Sequence, residues 1–149
     1  MKNTFIQKIL FLLVLFFSSV VLSHGTVIIP NVEHDRGYID VKIYDSKDSF
    51  LKEDEAVEAV RKKVNKGEVV VPLTKIHEGQ IAIVVYHDED GDGELKTGLF
   101  WRPKEGFAFS NNYSPKGPPK FSKASINLVH GEPVSVSYTH LTLPTNREV

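Results

Sequence analysis

The stretch from Gln80 to Tyr86, with the sequence QIAIVVY, narrows the possible folds of this chain more than any other segment. All of its residues after Gln80 are apolar or aromatic, so neither face of an extended segment would be polar. A short run of this kind, bounded by polar residues, is typical of a strand that is covered on both faces. We therefore expect Gln80–Tyr86 to be the central strand of a β-sheet.

Several other segments carry strand patterns. In Tyr38–Tyr44 (YIDVKIY), isoleucine and valine alternate with polar or aromatic residues, which is the period of two of a half-buried strand. We expect Val69–Leu73 to pair with Gln80–Tyr86 through a turn at His77–Gly79. About six short strands separated by turns predict a mostly β domain, a small β-sandwich with one short helix as a crossover. The remaining predicted strands are Val27–Val32, Ser125–Val129 and Val134–Tyr138.

The helix is predicted across Glu53–Asn65. Val57, Val60 and Val64 recur at i, i+3 and i+7, acidic residues crowd the first turn, and Gly67 follows as a stop signal. The basic run RKKVNK, residues 61–66, is then interpreted as a solvated face that complements the helix dipole.

The N-terminus carries an export pattern. Lys2 and Lys8 precede an apolar run from Ile9 to Leu22, and Ser23 supplies a small residue for cleavage. This pattern predicts a signal peptide at residues 1–23, not a membrane span, because a spanning helix needs about 20 apolar residues and different flanks. We expect a secreted or periplasmic protein with no membrane insertion after cleavage.

Charge and cysteine content exclude several classes of function. Without Lys2 and Lys8, the chain has 16 basic and 19 acidic residues and a formal charge of −3. A negative net charge gives no general attraction to nucleic acid, so no nucleic-acid partner is expected. Cysteine is absent, which excludes disulfides, thiolate chemistry, iron–sulfur ligation and a lipidated cysteine. The stability of the fold must then come from an apolar core, to which a bound metal ion could add.

The acidic loop HDEDGDGELKTG, residues 87–98, follows the central strand directly. Counted from Asp88, carboxylates stand at positions 1, 3 and 5 (Asp88, Asp90 and Asp92), and glycine stands at position 6. This is the first half of a calcium loop, in which alternate oxygens converge on a hard cation and Glu94 would add its backbone carbonyl. The second half departs from that pattern, since position 12 is Leu99 and position 9 is Lys96. A helix-loop-helix calcium domain is therefore excluded.

Two interpretations of this loop remain. One is a Ca²⁺ site on a β scaffold whose ligands are Asp88, Asp90, Asp92, Glu94 and, from outside the loop, Glu105. The other is a tight turn in which Asp and Gly serve only for their tolerance of unusual backbone angles. Carboxylates about 6 Å apart repel by roughly 0.7 kcal/mol per pair even in water, which favours a counter-ion. A site built from a few carboxylates on a loop predicts an affinity of about 10⁻⁴ to 10⁻³ M.

The chain also carries a family resemblance, which runs from about Gly37 to Tyr138 and is strongest over His87 to Ala124. The segments YHDEDGDGELKTGLFWRPKEGFAFSNN and GPPKFSKASINL resemble the DUF2141 family of secreted bacterial proteins, an uncharacterised family. The resemblance implies an immunoglobulin or transthyretin-like β-sandwich at residues 24–138 and no established activity. Lys96 and Trp101 depart from the family pattern, and Lys96 stands where an acidic residue is usual. The matching residues include His87, Asp88, Asp90, Asp92, Gly93, Glu105, Gly106, Phe107, Phe109, Ser110, Asn111 and Asn112.

The C-terminal end does not continue the strand pattern. The ending SYTHLTLPTNREV resembles translated sequencing-adapter sequence, and its leucines alternate out of phase with the preceding valines. We expect residues 139–149 to be a non-native or disordered tail.

No catalytic set is recognisable, since Gly-x-Ser-x-Gly, HExxH and a phosphate-binding glycine loop are missing from the sequence. We expect a non-enzymatic protein whose calcium-type loop orders one end of the domain for an unknown protein or glycan partner. The alternative is a copper-binding protein or oxidase, in which a new N-terminal His24 and a second histidine, His87 or His130, hold copper through nitrogen ligands.

Overall fold

The computed structural model describes residues 25–33, 35–93 and 105–137, which form two β-sheets. Strands within each sheet are antiparallel except for β1 and β8, which run parallel. The first sheet has the order β4-β1-β8, and the second has the path β3-β2-β5-β6 with β7 also pairing β5. The strands are β1 (Gly25–Val32), β2 (Tyr38–Tyr44), β3 (Glu58–Lys63), β4 (Gly67–Leu73), β5 (Gly79–Asp88), β6 (Phe107–Phe109), β7 (Ser125–Leu128) and β8 (Pro133–Ser135).

Strand β5 is the central strand that its apolar sequence predicts. It pairs with β2 along one edge and with both β6 and β7 along the other. Every residue from Ile81 to Asp88 is buried. The expected pairing of β5 with β4 is wrong, because β4 pairs with β1 in the other sheet. The turn at residues 74–78 therefore connects the two sheets.

A shared apolar core joins the sheets. It contains Val27 and Ile29 of β1, Val69 and Val71 of β4, and inward residues of the second sheet such as Ile83. In β2 the alternation predicted from the sequence is confirmed, since Ile39, Val41 and Ile43 all lie in this core. Burying side chains of this size contributes about 1.5–3 kcal/mol each.

The second face of the five-stranded sheet is covered as well. Tyr44, Val84 and Phe109 form a separate buried cluster, packed against Phe50 and Phe121. Phe121 begins the short helix α1 (Phe121–Ala124), which ends where β7 begins.

Ser110 and Asn111 fix this covering segment to the sheet. The Ser110 hydroxyl accepts from the Ile83 backbone N–H at 2.9 Å and donates to the Ala124 carbonyl at 2.5 Å, while the Asn111 amide donates to the Lys123 carbonyl at 3.0 Å. Asn111 also has a positive φ of 60°, a conformation that Asn tolerates better than most residues. Ser110 and Asn111 are therefore structural ties between this segment and the sheet.

The predicted helix at Glu53–Asn65 is wrong. Glu53–Glu55 forms one 3-10 turn, and Glu58–Lys63 is the edge strand β3, paired with β2 from Tyr38↔Lys63 to Ile43↔Glu58. The valine spacing fits a helix, but only Val60 lies within β3, and Val57 and Val64 flank the strand; all three pack on the core. Ladder hydrogen bonds to β2 outweigh a helix propensity that differs by less than about 1 kcal/mol per residue. The basic run is consequently part of a strand and does not complement a helix dipole.

Several predictions concern parts of the chain outside the described residues. These are the signal peptide at residues 1–23, His24, Glu94, Lys96, Trp101 and the tail at residues 139–149. In the part of the chain that the structure does describe, no helix has the length and apolar character required to cross a membrane.

Candidate metal centre

The acidic loop begins where β5 leaves the sheet. Strand register places Tyr38 of β2 opposite Asp88, and places Asp40 between Tyr86 of β5 and Arg61 of β3. Since residues directly opposite in a sheet share a face, these side chains lie on the second face, beyond the apolar cluster of Tyr44 and Phe109. That face thus changes from aromatic to ionic along its length.

A glycine allows the loop to approach β2. Gly37 has a φ of +75°, and a Cβ at this position would lie 2.0 Å from the Asp88 carbonyl oxygen and 2.7 Å from Glu89 Cα. No side chain fits at such distances, so the turn before β2 and the start of the acidic loop require glycine at residue 37. Gly91 and Gly93 also have positive φ, of 81° and 82°, where the loop turns over Tyr38 and Arg61.

Asp88 organises the loop through both of its carboxylate oxygens. Oδ1 accepts from the Gly91 backbone N–H at 2.7 Å, and Oδ2 accepts from the Gly93 backbone N–H at 2.8 Å. Asp90 makes a bond of the same kind within the loop, since its Oδ1 accepts from the Asp92 N–H at 3.3 Å. Side-chain bonds to the backbone two to five residues later are the usual means by which Asp folds a loop.

Arg61 supplies the positive charge next to the loop. Its guanidinium donates to Asp40 Oδ2 at 2.8 Å and to Asp88 Oδ2 at 2.5 Å, and it lies 4.3 Å from the centre of the Tyr38 ring. Burial favours the neutral form of Asp88, but the hydrogen bonds from Arg61, Gly93 and Gly91 outweigh burial and lower its pKa. Burial raises the pKa of Asp40, and Arg61 offsets this only in part. Asp88 is therefore held as a carboxylate, the form in which a carboxyl group could bind a cation.

Glu105 reaches the loop from the other side of β5. The β5–β6 register pairs Tyr86 with Phe107, and the His87 N–H continues the ladder by donating to the Gly106 carbonyl at 2.8 Å. One further step of this antiparallel register sets Glu105 beside Asp88. A residue 17 positions later in the sequence is thereby brought to the start of the acidic loop.

Asp88, Asp90 and Glu105 form one acidic cluster. Each offers a carboxylate oxygen, and the three oxygens all lie within 4.8 Å of one another. Asp88 is fully buried, Glu105 retains 9% of its surface and Asp90 is exposed, so the cluster opens to solvent on one side. This cluster could hold a metal ion.

Three of the five ligands predicted from the sequence thus meet. Asp92 lies exposed in the same loop, and the three-oxygen group does not include it. Glu94 lies outside the described residues. Glu105, the predicted ligand from outside the loop, is brought to the loop by the pairing of β5 with β6.

Sequence reasoning missed Arg61 and Asp40. Arg61 was assigned to a solvated helical face, whereas its guanidinium joins two carboxylates of the sheet. Asp40 is only 7% exposed. The sequence feature that could have revealed its burial is a charged residue within the strand YIDVKIY. Because a buried carboxylate needs a partner, Asp40 predicts a positively charged side chain nearby, and that side chain is Arg61.

The histidines of the copper alternative lie at different places. His87 is buried beside the acidic loop, and its Nε2 lies 2.6 Å from the Arg36 carbonyl oxygen. His130 lies in the β7–β8 connection, where its ring stacks on His77. His24 is outside the described residues.

The fold and the cluster define a two-sheet β domain with an acidic, metal-competent loop at the end of its central strand. The model of the family DUF2141, described as an uncharacterized protein conserved in bacteria, matches residues 27–137. The chain belongs to that family. Comparisons with curated proteins and with solved structures gave no match.

Proposed function

We propose that this chain is a secreted, non-enzymatic β-sandwich protein of the immunoglobulin or transthyretin-like type, and that its acidic loop binds Ca²⁺. The observation that carries the proposal is the convergence of Asp88, Asp90 and Glu105, whose oxygens lie within 4.8 Å of one another. Oxygens that share one Ca²⁺ at about 2.3–2.6 Å are at most about 5 Å apart. The cluster therefore has the dimensions of a single calcium site.

The donor set supports a hard cation. All three side chains are carboxylates, and Ca²⁺ and Mg²⁺ take oxygen ligands whereas Cu²⁺ and Zn²⁺ favour imidazole and thiolate. Ca²⁺ tolerates irregular geometry, while Mg²⁺ requires a near-ideal octahedron at shorter distances. The remaining ligands would be backbone carbonyls and water at irregular angles, which suits Ca²⁺ better than the smaller Mg²⁺.

Arg61 sets the charge of the site. It neutralises part of the negative charge of Asp40 and Asp88, which lowers the affinity of the loop for a cation. A weak, extracellular type of affinity, about 10⁻⁴ to 10⁻³ M, agrees with this partial neutralisation.

The ion has a structural role in this proposal. Its ligands flank residues 94–104, with Asp88 and Asp90 before that segment and Glu105 after it. One ion would hold Glu105 to Asp88 and Asp90 and would order this end of the domain for a protein or glycan partner. Export of the chain by its N-terminal signal would place the site where free Ca²⁺ reaches millimolar concentrations.

Calorimetric titration with Ca²⁺ and Mg²⁺ tests the proposal. We expect Ca²⁺ to bind with a dissociation constant of about 10⁻⁴ to 10⁻³ M and more tightly than Mg²⁺. Glu105→Gln keeps the shape of the side chain and should weaken Ca²⁺ binding at least about tenfold, because it removes a charged ligand. Glu132→Gln removes an exposed carboxylate at the other end of the domain and should leave binding unchanged. Absence of binding heat at about 10 mM Ca²⁺, or equal affinity in Glu105→Gln, would overturn the proposal.

A further inference from the structure

We propose that the open edge of β3 is a surface for strand addition, at which an extended acidic segment of a partner protein joins the five-stranded sheet. Strand β3 stands at the end of that sheet and pairs with β2 on one side only. Four of its six residues are exposed, so none of the described parts of the chain covers this edge. An edge strand presents a row of N–H and C=O groups to which another chain can add.

The hydrogen bonds to β2 show which backbone groups of β3 face outward. The Val64 N–H, one residue beyond β3, donates to the Gly37 carbonyl, one residue before β2, at 3.3 Å. In an antiparallel ladder the backbone groups of successive residues point alternately to the two sides of the strand, so every second residue counted back from Val64 bonds to β2. The residues between them direct both N–H and C=O away from β2, and these are Ala59, Arg61 and Lys63.

The side chains along this edge are basic. Lys62 donates to the Val70 carbonyl of the other sheet at 2.6 Å, whereas Lys63, as the next residue of the strand, points to the opposite face. Lys66 adds an exposed ammonium in the turn to β4. The one acidic residue of the strand, Glu58, is 2% exposed and accepts hydrogen bonds from the turn after β4. An added strand would therefore lie between lysines, and its acidic side chains would meet positive charge on either face.

The same charges make a second copy of this chain an unsuitable occupant. Two β3 edges brought together would place lysine opposite lysine or arginine, and like charges on adjacent strands destabilise the pairing. An acidic segment reverses the sign of that interaction. The edge thus discriminates by charge between its own copy and an acidic partner, through repulsion of one and attraction of the other.

The remaining sheet edges in the described residues are less suited to strand addition. Strand β4 also has an open edge, but Lys62 already bonds to its Val70 carbonyl, and Pro72, two residues later, has no N–H to donate. Strands β6 and β8 have three residues each, and β7 has four. Among the edges that the structure describes, β3 offers the longest row of outward donors and acceptors.

Two synthetic peptides test the inference. One alternates glutamate with valine over about eight residues, enough to span the six residues of β3, and the other has lysine in place of glutamate. We expect only the acidic peptide to bind, and its affinity to fall as the salt concentration approaches about 1 M, where the screening length is about 3 Å. By NMR-detected hydrogen exchange, the acidic peptide should slow the exchange of the outward amides of Ala59, Arg61 and Lys63. The amides of Val60 and Lys62, which bond to β2, should be protected already.

Three variants separate backbone pairing from charge. Ala59→Pro removes an N–H that faces away from β2, so it leaves the ladder intact and should weaken peptide binding roughly two- to tenfold, the effect of one backbone hydrogen bond. Lys63→Glu should weaken binding by a similar factor, because it replaces attraction by repulsion. Lys123→Glu makes the same charge change on the exposed side of α1 and should leave binding unchanged. If Ala59→Pro does not fold, Lys63→Glu and the amide protection decide the question.

Several results would overturn the inference. These are equal binding of the lysine peptide, no binding of the acidic peptide at about millimolar concentration, and binding that leaves the exchange of the three outward amides unchanged. Self-association of the chain through the same amides, detected by sedimentation, would also overturn it, because the occupant would then be a second copy. All measurements are made with a chelator present, so their outcome is independent of the calcium proposal.

Discussion

Arg61 on the edge strand β3 reaches across β2 and pairs with Asp88 at the end of β5, with 2.5 Å between Nη2 and Oδ2. Its other terminal nitrogen pairs with Asp40 on the intervening strand at 2.8 Å. Three strands are thus joined by one guanidinium at the point where the acidic loop begins. A planar fork with several donors suits this role better than the ammonium of Lys.

Arg61→Gln should lower stability and increase the response to Ca²⁺. Removal of the guanidinium takes the cation from two buried carboxylates, and breaking a fully buried pair costs about 3–5 kcal/mol. The loss should be smaller here, because Arg61 is partly exposed and Asp88 keeps its bonds from Gly91 and Gly93. The same change makes the cluster more negative, so Ca²⁺ should raise the melting temperature of the variant by more than it raises that of the parent. Differential scanning calorimetry with and without Ca²⁺ measures both effects.

Lys62→Gln is the matched control for this variant. It removes the same charge from the next residue of β3, whose ammonium donates to the Val70 carbonyl on the other sheet, and should leave the calcium response unchanged. An equal calcium response in Arg61→Gln and the parent would contradict the role of Arg61 as the resident positive charge of the site.

Gly37→Ala should be among the most destabilising single substitutions in the domain. A left-handed backbone costs a non-glycine residue about 1–2 kcal/mol, and at Gly37 the new Cβ would also meet the Asp88 carbonyl at 2.0 Å. Gly67→Ala provides the comparison, because its φ is also positive, at +108°, but nothing lies within 4 Å of the new Cβ. Chemical denaturation should show the larger loss for Gly37→Ala, and equal losses would mean that the close approach to Asp88 is unimportant.

Glu58 should make stability depend on pH in the acid range. Burial favours its neutral form, but the hydrogen bonds from Thr74 and Lys75 outweigh burial, and its pKa is lowered from 4.5. A lowered pKa means that the stabilisation is complete above the unfolded value and is lost as the pH falls through the folded value.

The Glu58→Gln variant isolates this contribution. It should cost about 1–3 kcal/mol at neutral pH, as expected for the loss of hydrogen bonds to a charged acceptor, and less below pH 4. Urea denaturation at several pH values measures the difference between parent and variant. A difference that stays constant from pH 7 to below the unfolded pKa of about 4.5 would contradict the assignment.

The sequence correctly predicted the strands in which the pattern of apolar residues follows the burial of each face. Strand β5 has no polar face from Ile81 to Tyr86 and is buried from Ile81 to Asp88. The alternation in β2 assigns Ile39, Val41 and Ile43 to the core, as observed. Asp88 and Asp90 were recognisable because ligand spacing within one loop is a local property. The approach of Glu105 to Asp88 depends on the β5–β6 register, which is not a local property of the sequence.

The elements that depend on distant partners were not predictable in the same way. Val57, Val60 and Val64 fit a helix by spacing, and only the availability of β2 as a pairing partner makes Glu58–Lys63 a strand. The contact of Arg61 with Asp88 follows from the register of three strands, because a shift of one residue would point Arg61 to the other face. The sheet to which β4 belongs is likewise a non-local outcome, since short turns join strands within a sheet and between sheets alike.

A crystal structure of the protein grown in about 10 mM Ca²⁺ is the most direct test of the acidic loop as a calcium site. We expect one ion bound by oxygens of Asp88, Asp90 and Glu105 at about 2.3–2.6 Å, completed by backbone carbonyls or water. Density for water alone between these three carboxylates, with Asp88 held only by Arg61 and the loop backbone, would contradict it.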